Sequence, residues 1–192
     1  MINICELCRL DALEPAYGQD GASASTIWIC GHCGLTQSRR AEVAERSNAS
    51  FDPLEVSAEN KRVGRAVELL RGHADLSLPL SVLDVGAGRG KFVRAFLSTA
   101  PRASLTAVEP NQGQAWACAF LNRSNIISKR IEETCFPDEH FDIIHSYHTL
   151  EHLESPLAVL ADHWRVLKPG GVLVVECRNI SAISDEAIVG EW

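Results

Sequence analysis

Ser81-Val-Leu-Asp-Val85 is an apolar run of strand length, and glycines at 86, 88 and 90 follow it without a gap. Such glycines permit positive φ and let a ligand approach the backbone closely. Lys91 to Leu97 then resumes helical spacing through Phe92, Val93 and Phe96. Strand, glycine loop and helix in that order open a βαβ unit. The chain beyond repeats the alternation. Ser104–Val108, Asn125–Ser128, Phe141–Ser146 and Val172–Glu176 read as further strands. Leu54–Leu70, residues 112–121 and Leu157–Val166 read as helices, and Lys168-Pro-Gly-Gly171 as the turn before the last strand. Five strands separated by helices predict an α/β domain with a mostly parallel sheet. Ligands of such sheets bind beyond the carboxyl ends of the strands.

The informative residues sit at those ends. Asp84 stands two residues before the first glycine, and the glycine spacing is G-x-G-x-G. The dinucleotide fingerprint G-x-G-x-x-G would need glycine at 91, where this chain has Lys91. Glu109 closes the second strand, 19 residues after Gly90. An acid placed there can accept both hydroxyls of a ribose. The exit of the fourth strand is rich in titratable groups: His145, Tyr147, His148, Glu151 and His152. His73, His140 and His163 read as surface residues.

The cysteines divide the chain. Cys5-Glu-Leu-Cys8 and Cys30-Gly-His-Cys33 each leave two residues between thiols, and 21 residues separate the pairs. Two such knuckles supply the four ligands of a closed tetrahedral zinc site. A piece of about 40 residues builds little core, so a metal would contribute the missing folding energy. His32 lies inside the second knuckle and reads as exposed and incidental. Cys118, Cys135 and Cys177 read as small buried residues. The expected organisation is a zinc-binding unit over residues 1–37, a linker over 38–53 and a main domain over 54–192.

Composition excludes several classes. Hydrophobic residues make up 46% and charged residues 22%, against wholesale disorder. Lys and Arg total 18 and Asp and Glu 25, a formal net charge of −7 with no long basic run. Nucleic-acid binding by charge alone is disfavoured. The longest apolar run, Gly171–Val175, is far short of the roughly 20 residues that span a bilayer. The N-terminus lacks the basic and apolar regions of a cleaved signal, and seven cysteines is an odd number. A cytoplasmic protein without a disulfide framework is expected.

Val82-Leu-Asp-Val-Gly-Ala-Gly-Arg-Gly90 resembles the first motif of the class I S-adenosylmethionine-dependent methyltransferases. Val108-Glu109-Pro110 resembles their second-strand acid, and Phe136-Pro-Asp-Glu-His-Phe-Asp-Ile-Ile144 their approach to the fourth strand. Leu150-Glu-His-Leu153 and Leu167-Lys-Pro-Gly-Gly171 resemble the segments that follow. The likeness runs over residues 60–178 in the family's order. It implies a Rossmann-like sheet and S-adenosylmethionine as cofactor. By this resemblance Gly86, Ala87, Gly88 and Gly90 wrap the methionine end and Asp84 reaches its amino group. Glu109 with Pro110 holds the ribose, and His145 lines the same site. Arg130 stands where such families often have Asp, so contact with the adenine is expected from Ile131 and its neighbour Glu132. His152, His148 and Glu151 are the candidate catalytic residues.

A four-cysteine unit ahead of such a domain, with Cys30-Gly-His-Cys33-Gly-Leu-Thr-Gln37, is similar to the sugar C-methyltransferases of deoxysugar biosynthesis and related small-molecule enzymes. The resemblance implies C- or O-methylation of a small molecule such as a nucleotide-linked sugar. A class I sheet usually adds a sixth and a seventh strand, and only 16 residues follow Glu176. The expectation is a sheet lacking those two strands, weakly active until a partner or a continuation of the chain closes the pocket. Two alternatives stand beside this reading. One is a cofactor-binding scaffold without turnover. The other is an RNA methyltransferase, which the acidic charge opposes.

Overall fold

The structure, a computed structural model, describes residues 4–5, 7–17, 26–39, 53–111, 124–153 and 155–177. The chain divides into two compact units, residues 1–50 and 51–192. In the first, β1 (Leu13–Tyr17), β2 (Thr26–Cys30) and β3 (Thr36–Arg39) form an antiparallel sheet in that order. β3 therefore extends into the stretch expected as linker. Among the described residues the buried side chains of this unit are Cys5, Leu13 and Cys30, with Cys8, Ala12, Trp28 and Leu35 packed against them. Two of these three buried side chains are cysteines.

The second unit begins with α1 (Pro53–Arg71). It continues through β4 (Ser81–Val85), α2 (Lys91–Thr99), β5 (Ser104–Val108), β6 (Ser124–Ile127), β7 (Phe141–Tyr147), α3 (Pro156–Val166) and β8 (Leu167–Glu176). The helix expected over 112–121, with Cys118, lies outside the described residues. The sheet order is β6-β5-β4-β7-β8, and every pairing is parallel. This is the doubly wound arrangement, whose order reverses beside its first strand.

Helices cover both faces, which is why the strands are apolar throughout rather than alternating. Val82, Leu105, Ala107 and Ile143 pack under Val67 and Leu70 of α1 and Phe92, Val93, Phe96 and Leu97 of α2. Leu83, Val85, Val108 and Ile144 point the other way, toward Val159 and Val166 of α3. Strand parity then places Asp84 and His145 on the α2 face. Lys168 to Gly171 is a bulge within β8 rather than a turn ahead of it. Leu167 pairs with Phe141 and Val172 with Ile143, so four residues oppose the single Asp142. Among the described residues β6 and β8 are the edges of the sheet.

Three sequence expectations are corrected. His163 is not a surface residue. It is fully buried in α3, and neither ring nitrogen has a partner among the described residues. Cys135 and Cys177 are exposed, not buried. Cys135 sits in an irregular segment after a single 3-10 turn, and Cys177 just past the end of β8, so neither is carried inward by a regular element.

Candidate functional site

The four N-terminal thiols converge. Cys5 and Cys30 each open the same turn. The Cys5 amide donates to Leu10 O and Arg9 donates back to Cys5 O, and the Cys30 amide donates to Leu35 O while Gly34 donates back to Cys30 O, all at 2.9 Å. Arg9 and Gly34 take the corresponding left-handed positions, φ 60° and 74°. All four Sγ atoms lie within 4.8 Å of one another, and Cys5–Cys33 and Cys8–Cys30 are each 3.6 Å apart. A tetrahedral zinc with Zn–S bonds of about 2.3 Å sets S···S distances of about 3.8 Å. The donor set and its size fit that ion. The Cys33 amide points at Cys30 Sγ at 3.5 Å and leads the effects that lower this thiol below its ordinary value. His32 is exposed.

In the second unit the strand ends meet at the glycine loop. Gly86, Gly88 and Gly90 all have positive φ, at 73°, 53° and 70°. The Gly86 and Ala87 amides donate to Val108 O at 2.8 and 3.1 Å, which ties the loop to the end of β5. Glu109 is buried there and braces the loop further. Its Oε2 accepts the Gly88 amide at 2.8 Å and its Oε1 the Asn111 amide at 2.9 Å. A carboxylate has about four acceptor positions. Two remain for a diol. Pro110 is exposed beside it, Ile131 is buried in the α3-side core, and Glu132 is exposed.

Thr149 locks the loop from the β7 side. Its hydroxyl donates to Val85 O at 3.0 Å, with Tyr147 O at 3.2 Å. A Cβ on Gly86 would lie 2.1 Å from that oxygen. The first glycine is thus required by a protein side chain as well as by its φ.

Asp84 and His145 are neighbours in register across β4 and β7. Both are buried, and His145 Nδ1 lies 2.7 Å from Asp84 Oδ1. The imidazole stacks on Phe92 of α2 at 3.7 Å and 7°. Asp84 Oδ2 is buried without a partner among the described residues. The Asp84 carboxylate is therefore held toward His145.

Beyond β7 the chain turns sharply. His148 has φ 50°, a costly conformation for a non-glycine residue and one that clusters at functional sites. Its Nδ1 is 2.7 Å from Glu151 Oε1. Glu151 and His152 occupy a single 3-10 turn, Leu150–His152, and His152 is exposed. The structure thus joins His148 to Glu151 within one bond. Arg62 of α1 donates to the Tyr147 hydroxyl at 2.8 Å. Burial raises the Tyr147 hydroxyl above its ordinary value, and Arg62 offsets part of that. Neither Arg62 nor Thr149 carried a local sequence signal, because each acts across more than 60 residues.

The fold defines a class of protein: a Rossmann-like α/β domain with a parallel five-stranded sheet. Residues 83–175 match the family model described as a methyltransferase domain. An uncharacterized methyltransferase of Schizosaccharomyces pombe is 31% identical over 115 residues, covering 54% of this chain and 41% of the relative. The ubiquinone/menaquinone biosynthesis C-methyltransferase UbiE of Bordetella avium is 29% identical over 143 residues, covering 70% and 55%. The chain thus spans about half the length of these relatives. Among solved structures, the plantazolicin methyltransferase BpumL in complex with a pentazolic desmethylPZN analog and SAH superposes with a TM-score of 0.55. That match has 19% identity and covers 71% of this chain and 60% of that one.

Proposed function

We propose that this chain transfers a methyl group from S-adenosylmethionine to a small-molecule acceptor. The observation that carries the reading is the junction of three adjacent strand ends. The glycine loop after β4 is braced by Glu109 after β5, and His148–Glu151 follows β7 on the other side. The cofactor would supply an electrophilic methyl group on a sulfonium. The protein's work is orientation, exclusion of water and proton removal. Glu109 offers its remaining lone pairs to the ribose hydroxyls, and the glycine loop, bare of Cβ atoms at 86, 88 and 90, lets the amino-acid end approach the backbone. Gly90, Ala87 and Pro110 complete that wall, and Ile131 and Glu132 stand near the adenine.

His148 is the proposed base. Hydrogen bonding to Glu151 through Nδ1 fixes the tautomer that leaves the Nε2 lone pair for an acceptor proton. Glu151 stabilises the imidazolium that results, and His152 lies on the same turn. The acceptor is a hydroxyl or a carbon beside a carbonyl. A nucleotide-linked sugar remains the substrate class of this reading, on the resemblance of residues 30–37. Zinc in the Cys5–Cys8–Cys30–Cys33 cluster is structural, because four thiolates leave no open position. A neighbour along β8, from further chain or a partner, belongs to the same reading. Val172 to Val175 are apolar and half-buried at an edge.

Calorimetric titration with S-adenosylhomocysteine tests the cofactor site. Wild type should bind, and Glu109→Ala should lose about tenfold or more, as expected for charge-assisted hydrogen bonds to the ribose. Equal binding by both would refute the site.

A further inference from the structure

We propose that His145 is a positioning residue for Asp84, holding that carboxylate oriented toward the ammonium group of the cofactor's amino-acid end. The inference rests on the reading of the glycine loop as a cofactor site. It goes beyond that reading by assigning a buried histidine pair to one functional group of the ligand.

Three observations carry it. First, His145 and Asp84 are 4% and 2% exposed, so their 2.7 Å bond is made away from bulk water. A buried carboxylate needs such a donor to offset the cost of leaving water. Second, His145 cannot swing away. Its ring lies flat against Phe92, two residues past the last loop glycine, and its strand is paired to β4 at Asp84 itself. The pair therefore connects β4, β7 and the first turn of α2 at the root of the loop. Third, only one carboxylate oxygen is satisfied. Asp84 Oδ2 is buried with no partner among the described residues. An unmatched buried carboxylate oxygen is costly, and a bound cation or donor relieves that cost. The ammonium is the group of the ligand with matching charge. His145 is not a catalytic residue in this account, since it acts through Asp84.

Two probes separate this role from a merely structural one. S-Adenosylhomocysteine carries the ammonium, and 5′-methylthioadenosine keeps the nucleoside and sulfur but lacks it. Binding of both is measured by titration to the full chain. His145→Phe preserves the stack on Phe92 and removes the donor. It should weaken S-adenosylhomocysteine by about tenfold to a hundredfold, the range of a charge-assisted hydrogen bond, and leave methylthioadenosine within about twofold. Asp84→Asn should give the same selective loss. His145→Asn places a side-chain N–H near the position of Nδ1 and should restore most of the affinity. Asp84→Asn and His145→Asn keep the test informative should His145→Phe fold poorly. Equal weakening of both probes by His145→Phe and Asp84→Asn would overturn the proposal and leave His145 as a packing residue. Unchanged S-adenosylhomocysteine affinity in Asp84→Asn would overturn it as well. Failure of wild type to bind either probe would overturn the cofactor reading itself, and the proposal with it.

Discussion

Gly86→Ala is the substitution whose consequence the structure defines most sharply. The new Cβ would lie 2.1 Å from Thr149 Oγ1 and 3.1 Å from its Cβ and Cγ2. It would also have to tolerate φ 73°. The left-handed conformation costs an L-residue about 1–2 kcal/mol. Thr149 must turn aside and lose its bond to Val85 O, about 1 kcal/mol. Crowding of a packed site adds about 1–3 kcal/mol. The sum is on the order of 3–6 kcal/mol, a fall of about 10–20 °C in Tm for a unit of this size. The described helices all lie in the second unit, so circular dichroism at 222 nm follows its unfolding. Thr149→Ala in the same chain removes Oγ1 and Cγ2 and leaves only a 3.1 Å contact, which a small shift relieves. The double-mutant cycle should therefore show a coupling of about 2 kcal/mol, with the φ cost remaining. Strict additivity of the two changes would refute the contact and the argument built on it.

Other outcomes follow from the same geometry. The purified chain should contain about one zinc by the four-thiolate logic, and Cys8→Ser should lose both metal and the β1–β3 sheet; elemental analysis with hydrogen exchange checks this. Burial holds the His163 imidazole below its ordinary value of 6.5. Above that pH both folded and unfolded chains carry it neutral. As pH falls below 6.5, the unfolded chain takes a proton that the folded chain refuses, so stability declines with acid until the folded value is reached. His163→Phe should flatten that slope and raise stability by about 1 kcal/mol, read from urea midpoints at pH 5 and pH 8. With an accepted substrate in hand, His148→Gln should lower kcat by about a hundredfold or more while leaving S-adenosylhomocysteine affinity unchanged.

The strands of the parallel sheet were legible because they are short, mostly apolar runs in alternation with helices, whereas β1 and β3, Leu13–Tyr17 and Thr36–Arg39, carry no such run. The convergence of the thiols was legible because knuckle spacing is local. The contacts that shape the candidate site were not. Asp84 meets His145 only through the register of β4 on β7, and the two are 61 residues apart. Arg62 reaches Tyr147 across 85 residues, which depends on where α1 packs. Thr149 reads as an ordinary polar residue until β7 is laid beside β4. His163 is different, since its burial was available in the sequence. Val159, His163 and Val166 recur at helical spacing, and that periodicity outweighs the polarity of one ring. Cys135 misled because Phe136 beside it suggested an apolar setting, whereas acidic residues flank both on either side.

The bulge in β8 separates two registers that are each pinned on their own. Leu167 answers to Phe141, and Val172 to Glu176 answer to β7 from Ile143 onward. The exposed Pro169 and Gly170 between them touch neither pairing, and a Cβ on Gly170 would meet nothing within 4 Å. Chain length at this point is therefore uncoupled from the ladder. Extra residues inserted after Pro169 would lengthen a protrusion, whereas a single residue inserted after Val172 would exchange the two faces of the strand. Evolution and the protein engineer share the same permission here. A tag, a probe or a new loop can enter the sheet's rim between residues 169 and 170 without disturbing the alignment of β7, and so without moving the histidine that hangs from its end.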